Sequence, residues 1–305
     1  MRAASPPDLP LGADHLDLAT FLVQCLNAVQ YGLLLFLVAS GLTLIFGIMG
    51  VINLAHGSFY MIGAYLAFSL APAFGEHFLA MLAAGVLISA LFGFVLEWLF
   101  FSFLYKREHL QQVLMTYALI LVFEEARSLL VGNDVHGVPV PAWLKGGFAL
   151  GELMSYPWYR VFASVACIVV ALALYWVVNR TRLGMMIRAG ASNRDIVRGL
   201  GIKITLLYRI VFAGGVALAA LAGMIAAPLS SVYPGMGASV LIICFVVVVI
   251  GGIGSISGAL VASLLVGFVD TFGKVFFAEF SGIGVYLLMA IVLVWRPEGL
   301  MKRGY

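Results

Sequence analysis

The chain has little charge: Asp, Glu, Lys and Arg make up 10% of its 305 residues, where a soluble globular protein carries about a quarter. That scarcity excludes a water-solvated surface over most of the molecule. Long polar linkers are missing as well, so the length is not divided into soluble domains. Cys25, Cys167 and Cys244 are the three cysteines. All lie in apolar stretches without metal or redox spacing and read as buried packing residues. His15, His56, His77, His109 and His136 never stand at metal-ligand spacing, so no metal and no cofactor are expected. Gly-x-Ser-x-Gly and Gly-x-x-x-x-Gly-Lys-Ser/Thr are absent. An enzyme reading is therefore unsupported, and ATP hydrolysis by a P-loop in this chain is excluded. The net charge of +3 is too small to suggest a nucleic-acid partner.

What is present is apolar. Hydrophobic residues make up 63% of the chain and the mean hydropathy is +1.10. A helix needs about 20 apolar residues to cross the hydrocarbon core. That ruler marks candidate spans near 19–46, 52–71, 78–104, 111–131, 158–178, 206–229, 239–251, 256–277 and 282–295. The expected fold is all-α, a polytopic helical membrane bundle of about eight or nine spans with glycine-broken helices. It divides into a short external segment 1–18, one transmembrane domain 19–296 with a cytoplasmic loop at about 179–205, and a cytoplasmic tail 297–305. Arg2 against Asp8, Asp14 and Asp17 is the wrong sign for a secretory signal, and the first apolar run is too long for one, so it is expected to stay.

Basic residues gather on the cytoplasmic side. Lys106 and Arg107 form one cluster, Arg180 to Arg209 the largest, and Arg296, Lys302 and Arg303 the last. The candidate spans between them are even in number, so all three clusters can face the cytoplasm. Counting back then puts the N-terminus outside and the C-terminus inside. Glu76, Asp134, Glu152 and Glu279 fall in the loops left outside.

The stretch 33–71 is too long for one span, and its middle reads Phe46-Gly47-Ile48-Met49-Gly50-Val51-Ile52-Asn53-Leu54-Ala55-His56-Gly57-Ser58. Glycines with Asn53, His56 and Ser58 suit a helix break buried in protein rather than a lipid face. A second break, Gly251-Gly252-Ile253-Gly254-Ser255, precedes Gly258. Interrupted apolar segments in each half point to a transporter path, which makes Asn53, His56, Gly57, Ser58, Gly251, Gly252, Gly254 and Ser255 candidate path residues. Close packing through small residues is the alternative at both breaks, and weaker at the first because of its polar side chains. His56 is open between lining a path and satisfying carbonyls freed by the break.

Ionisable residues inside spans are functional candidates: Glu97, Glu124, Glu125, Arg127 and Asp270. Glu124 with Arg127 (i,i+3) and Asp270 with Lys274 (i,i+4) can also form structural ion pairs. In the basic loop, Ser192 or Asn193 can cap a short helix and Gly199 or Gly201 can end it. Arg194 and Arg198 lie on one face of it, with Ile196, Val197 and Leu200 as its apolar residues. This order exceeds what a topological anchor needs and suggests a docking helix. Anionic-lipid contact is the alternative.

Gly41-Leu-Thr-Leu-Ile-Phe-Gly47-Ile-Met-Gly50-Val-Ile-Asn53-Leu-Ala-His56-Gly57 resembles the signature of the branched-chain amino acid permeases of ABC importers. Gly184…Arg188-Ala189…Asn193…Gly199-Leu200-Gly201-Ile202, Gly251-Gly252-Ile253-Gly254-Ser255…Gly258-Ala259 and the tail Arg296-Pro297-Glu298-Gly299-Leu300 are similar to the same family in order and spacing. The related sugar permeases carry an Asp-Leu-Ser-x-Gly type sequence where this chain has Asn53-Leu54-Ala55-His56-Gly57. The resemblance implies a permease subunit in a bacterial inner membrane, importing branched-chain amino acids or related amides, urea or carboxylates. Its implied partners are a second permease chain, two cytoplasmic ABC ATPases, a periplasmic binding protein and the bilayer. Arg188, Ala189, Asn193, Arg194, Arg198, Gly199 and Gly201 would transmit ATPase motion. The Glu-Ala-Ala coupling motif of many ABC permeases is reduced here to Ala189-Gly190-Ala191, so that assignment rests on position and charge. The rival readings are a proton-coupled secondary transporter, using Glu97 or Asp270, and a channel for a small neutral solute such as urea.

Overall fold

The computed structural model describes residues 18–105, 107–149, 155–199, 201–277, 279 and 281–301. The segment 1–17, Lys106, Glu152, Leu200, Lys302 and Arg303, and the side chains of Arg194, Asp195 and Ile196 lie outside the described residues. Eleven helices follow in order: α1 Leu18–Met49, α2 His56–Phe74, α3 Phe78–Leu104, α4 His109–Val131, α5 Trp158–Arg180, α6 Arg182–Ser192, α7 Arg194–Gly199, α8 Ile204–Ala226, α9 Met236–Gly251, α10 Ile256–Phe276 and α11 Ser281–Trp295. Within α3, one π-helical turn spans Glu97–Phe101.

Six helices, α1, α2, α3, α5, α8 and α10, are long and apolar enough to cross a membrane, and α9 and α11 are shorter apolar helices. The expected span 111–131 differs. It forms the 23-residue helix α4, but Gln111, Gln112, Glu124, Glu125 and Arg127 leave it too polar to join the six.

α1 is apolar all round and almost wholly enclosed, as an evenly hydrophobic helix at the centre of a bundle should be. It packs chiefly on α10 and α8, and α8 in turn on α2 and α3. These contacts depend on small residues. A Cβ on Gly63 would lie 2.0 Å from the Ala220 carbonyl oxygen, and one on Gly223 2.0 Å from that of Tyr60. α3 and α5 instead turn large apolar side chains outward, among them Leu87, Leu91, Leu172 and Trp176. Apolar residues both inside and outside are what a bundle solvated by lipid requires.

The connections gather at the two ends of α1. At its C-terminal end lie the close of α5, α6 and the segment Gly254–Ser257. The final turn caps α9 there: Leu300 N–H donates to Ile250 O at 2.8 Å and Met301 N–H to Gly251 O at 3.3 Å. At the opposite end the 132–157 connection carries a short hairpin, β1 Gly147–Ala149 with β2 Ser155–Pro157. His136 exchanges backbone hydrogen bonds with Val232 and stacks on Phe68 at 4.2 Å.

Gly223→Ala should force α8 off the Tyr60 carbonyl and lower the melting temperature in detergent by an amount equivalent to about 1–3 kcal/mol. Gly214→Ala on the same helix meets open space and should be neutral or slightly stabilising, because alanine favours the helix. Equal effects at the two sites would refute the packing argument.

Candidate functional site

α1 ends at Met49, Gly50 takes φ 65°, and α2 begins at His56. Asn53 Oδ1 accepts from Ala55 N–H at 3.1 Å, an Asx-type turn that starts the new helix. His56 Nε2 lies 3.0 Å from the carbonyl oxygen of Val38. Val38 precedes the end of α1 by 11 residues, or about 16 Å at the helical rise. The chain therefore folds back along α1, and α2 starts at the level of that helix's middle. Asn53, His56 and Ser58 are buried, and a Cβ on Gly57 would sit 2.1 Å from the Gly237 carbonyl oxygen. These four candidates line neither of the two large cavities described next.

Both cavities share α1. One, of about 490 Å³, opens toward its N-terminal end and is lined by Gln24, Asn27, Gln30, Tyr31, Tyr60, Arg160, Asp270 and Lys274 above an apolar floor that includes Leu34, Leu35 and Val38. The other, of about 730 Å³, lies toward its C-terminal end and is lined by Thr43, Gly47, Asn179, Arg188, Gly254, Ser255, Ser257 and Met301 among others. Between them, a Cβ on Gly41 would meet the Gly215 carbonyl oxygen at 2.6 Å and His56 Cε1 at 3.1 Å. The middle of α1 is thus closely packed by α8 and by the start of α2.

The second break divides its candidates. Gly254 and Ser255 face the larger cavity. Ser255 also caps α10, its Oγ accepting from Gly258 N–H at 3.0 Å. Gly252, at φ 96°, lies against the final turn, where a Cβ would be 2.5 Å from the Met301 carbonyl oxygen, and Gly251 packs on Gly258. These two are held by close backbone contact.

In the basic loop two helices stand where one short helix was expected. Thr181 caps α6, accepting from Gly184 N–H at 3.2 Å, and Asn193 takes an extended backbone that separates α6 from α7. Arg188 turns inward and donates to the Val178 carbonyl at the end of α5. Ala189, Asn193, Arg198, Gly199 and Gly201 are exposed.

Of the intramembrane candidates, Glu97, Glu124, Arg127 and Asp270 are paired, and Glu125 is exposed. Glu97 is buried at the π-turn, with Arg209 Nε 3.0 Å from Oε2 and the Tyr105 hydroxyl donating to Oε1. Arg127 Nε lies 3.1 Å from Glu124 Oε2, while Nη1 donates to the Gly132 carbonyl at 2.6 Å and so closes α4. Lys274 Nζ lies 2.5 Å from Asp270 Oδ2. Asn27, Gln30 and Arg160 were not among the sequence candidates. The spacing of Gln24, Asn27 and Gln30, every third residue of an apolar helix, is the signal that marks one polar face.

The family model for the permease component of branched-chain amino acid transport systems matches residues 24–294. The high-affinity branched-chain amino acid transport system permease protein BraD of Pseudomonas aeruginosa is 31% identical, over 93% of this chain and 96% of its own. The corresponding protein LivH of Salmonella typhimurium is 27% identical, over 93% of this chain and 96% of its own. LivM of the same organism, also a permease protein of a high-affinity branched-chain amino acid transport system, is 27% identical over 86% of this chain and 66% of its own. No solved structure matches.

Arg209→Leu should leave Glu97 buried and uncompensated, a loss of about 3–5 kcal/mol. The double variant Glu97→Leu/Arg209→Leu should recover much of it, since both charges then leave together. A double-mutant cycle from detergent melting curves measures this coupling, and additive losses would refute it.

Proposed function

The chain belongs to the permease-component family of branched-chain amino acid transport systems, and we propose that it is one membrane-spanning half of an ATP-driven importer for branched-chain amino acids or related small polar solutes. The match over residues 24–294 carries the reading. The two cavities on α1, closed from each other at Gly41 and His56, suit a subunit that exposes a path to one side at a time.

The N-terminus lies outside and the C-terminus in the cytoplasm of a bacterial inner membrane, so the cavity at Arg160 faces out and that at Arg188 faces in. A second permease chain completes the pore. Two permease proteins of one organism are each similar to this chain, which favours a heteromeric pair. Two cytoplasmic ATPases meet the exposed edge of α6 and α7 at Ala189, Asn193, Arg198, Gly199 and Gly201, with Arg194 alongside. Arg188 fastens α6 to α5 and so relays the ATPase's motion into the bundle. A periplasmic binding protein docks on the outer connections and supplies most of the selectivity.

The importer is favoured over a proton-coupled carrier by the pairing of Glu97 with Arg209 and of Asp270 with Lys274, since a proton carrier needs a carboxylate free to cycle. It is favoured over a channel by the closely packed middle of α1. Purification through a tag on this chain should bring down an ATPase with a Walker motif. Leucine uptake in cells should stop on ATP depletion and persist when a protonophore collapses the proton gradient. Uptake by this chain alone in liposomes, or loss of uptake with the protonophore while ATP is held constant, would overturn the importer. Arg194→Glu/Arg198→Glu should leave membrane insertion intact and separate ATP hydrolysis from uptake. Unchanged coupling would reduce these residues to a topological anchor.

A further inference from the structure

The cavity toward the N-terminal end of α1 carries an unbalanced charge. Of its three charged residues, Lys274 bonds one carboxylate oxygen of Asp270, Oδ2, at 2.5 Å, and also lies 5.5 Å over the Tyr31 ring. Arg160 has only neutral company. Its Nη1 donates to Asn27 Oδ1 at 2.7 Å and lies 3.4 Å from Gln30 Oε1. Among the described residues no carboxylate pairs with it. The adjoining Tyr156 phenol is raised above its ordinary value by burial, against the pull of the guanidinium, and so brings no counter-charge.

A half-buried guanidinium offers five donors in a plane that matches a carboxylate. Two amide oxygens from successive turns of α1 hold it in place but cannot neutralise it. The same cavity supplies a carboxylate at Asp270, whose Oδ2 is shared with Lys274, and an apolar wall of Leu34, Leu35, Val38, Leu229 and Val240. Its volume of about 490 Å³ lies within the usual range for small-molecule sites.

We propose that Arg160, steadied by Asn27 and Gln30, receives the carboxylate of a small zwitterionic solute in this cavity, with Asp270 toward its ammonium and the apolar wall around an aliphatic side chain. The site rests on the importer reading for its place on a path, but its chemistry can be tested without transport. No step involves covalent change. The solute's carboxylate pairs with a guanidinium that has no carboxylate partner among the described residues, and release toward the larger cavity requires that ion pair to break.

The test is equilibrium binding of radiolabelled leucine to the purified importer in nanodiscs, with the binding protein and ATP both omitted. Saturable binding is expected. Isovalerate, which keeps the carboxylate and the branched chain, should displace leucine better than isopentylamine, which keeps only the amine. Arg160→Gln should weaken binding about tenfold or more, as expected for losing a charge-assisted contact, and Arg160→Lys should fall between. The analogue comparison uses the unaltered protein and stands even if a variant fails to fold. Absence of saturable binding, displacement by isopentylamine equal to that by isovalerate, or full affinity in a folded Arg160→Gln protein would each overturn the site. ATP-driven uptake persisting alongside any of those results would leave the importer standing. Binding as expected with no ATP-driven uptake would defeat the importer and keep the site.

Discussion

The architecture depends on helices that meet backbone to backbone. Lipid provides no hydrophobic drive for one apolar helix to prefer another over its surroundings, so association rests on close packing. α8 is where this is densest. Gly215 meets α1, Ala220 meets Gly63 of α2, and Gly223 meets the Tyr60 carbonyl, so that a single methyl group at Gly63 or Gly223 would overlap main chain. On its other face α1 is held to α10, where Gly32 lies against Ser263 and Gly267 against Ala28. The outcome is a stiff spine of α1, α8 and α10, with α3 and α5 presenting bulky side chains outward. A spine so tightly packed has few ways to flex, and its packing changes in discrete steps rather than by gradual deformation.

Much of this was written in the sequence where chemistry contradicted its setting. Glycine, asparagine, histidine and serine within 46–58 were wrong for lipid, and the chain breaks there. Gly251 to Ser255 were wrong for a continuous helix, and α9 ends there. Ser192 and Asn193 stood where a helix should start, and α7 begins at Arg194. What the pattern did not carry was partnership. Charge pattern places Arg188 in the basic loop, but does not say that it turns back onto the end of α5. At 111–131 the helix has the length of a span, but Glu124, Glu125 and Arg127 leave it without the hydropathy of the other six. Arg160 sits singly at the start of an apolar helix and forms no sequence pattern of its own. Only the fold brings Asn27 and Gln30, 133 and 130 residues earlier, against it.

The two breaks have different physical roles although both are glycine-rich. At 251–255 the glycines let the last turn of the described chain reach the end of α9, and main-chain hydrogen bonds to Ile250 and Gly251 hold it. That junction is a clasp. At 50–55 the chain doubles back, and the polar groups are incompletely matched. His56 Nδ1 and Asn53 Nδ2 are buried without a hydrogen-bond partner among the described residues. Leaving such a group unmet costs about 1–3 kcal/mol, so the first break holds a local penalty that the second does not.

That penalty sits at the place where the cavities are kept apart. Val38 belongs to the wall of one cavity, its carbonyl takes the His56 ring, and Gly41, one turn on, is pressed by the same ring and by Gly215. Joining the cavities along α1 therefore requires the start of α2 to leave Val38. The hydrogen bond then broken is one of a kind worth about 0.5–1.5 kcal/mol net, and the Val38 carbonyl remains within the continuous helix α1. The groups that α2 would carry away, His56 Nδ1 and Asn53 Nδ2, are unsatisfied in the closed arrangement and lose nothing by moving. The polar share of the cost of opening is therefore small, and the packing of Gly57 on Gly237 and of Gly41 on Gly215 is the larger part that a ligand or partner favouring the joined state must offset. A seal made by tighter apolar packing alone would lie further from balance, because opening it would forfeit dispersion attraction across the whole packed surface. Polar residues buried at the start of α2 make the middle of α1 closable without locking it shut.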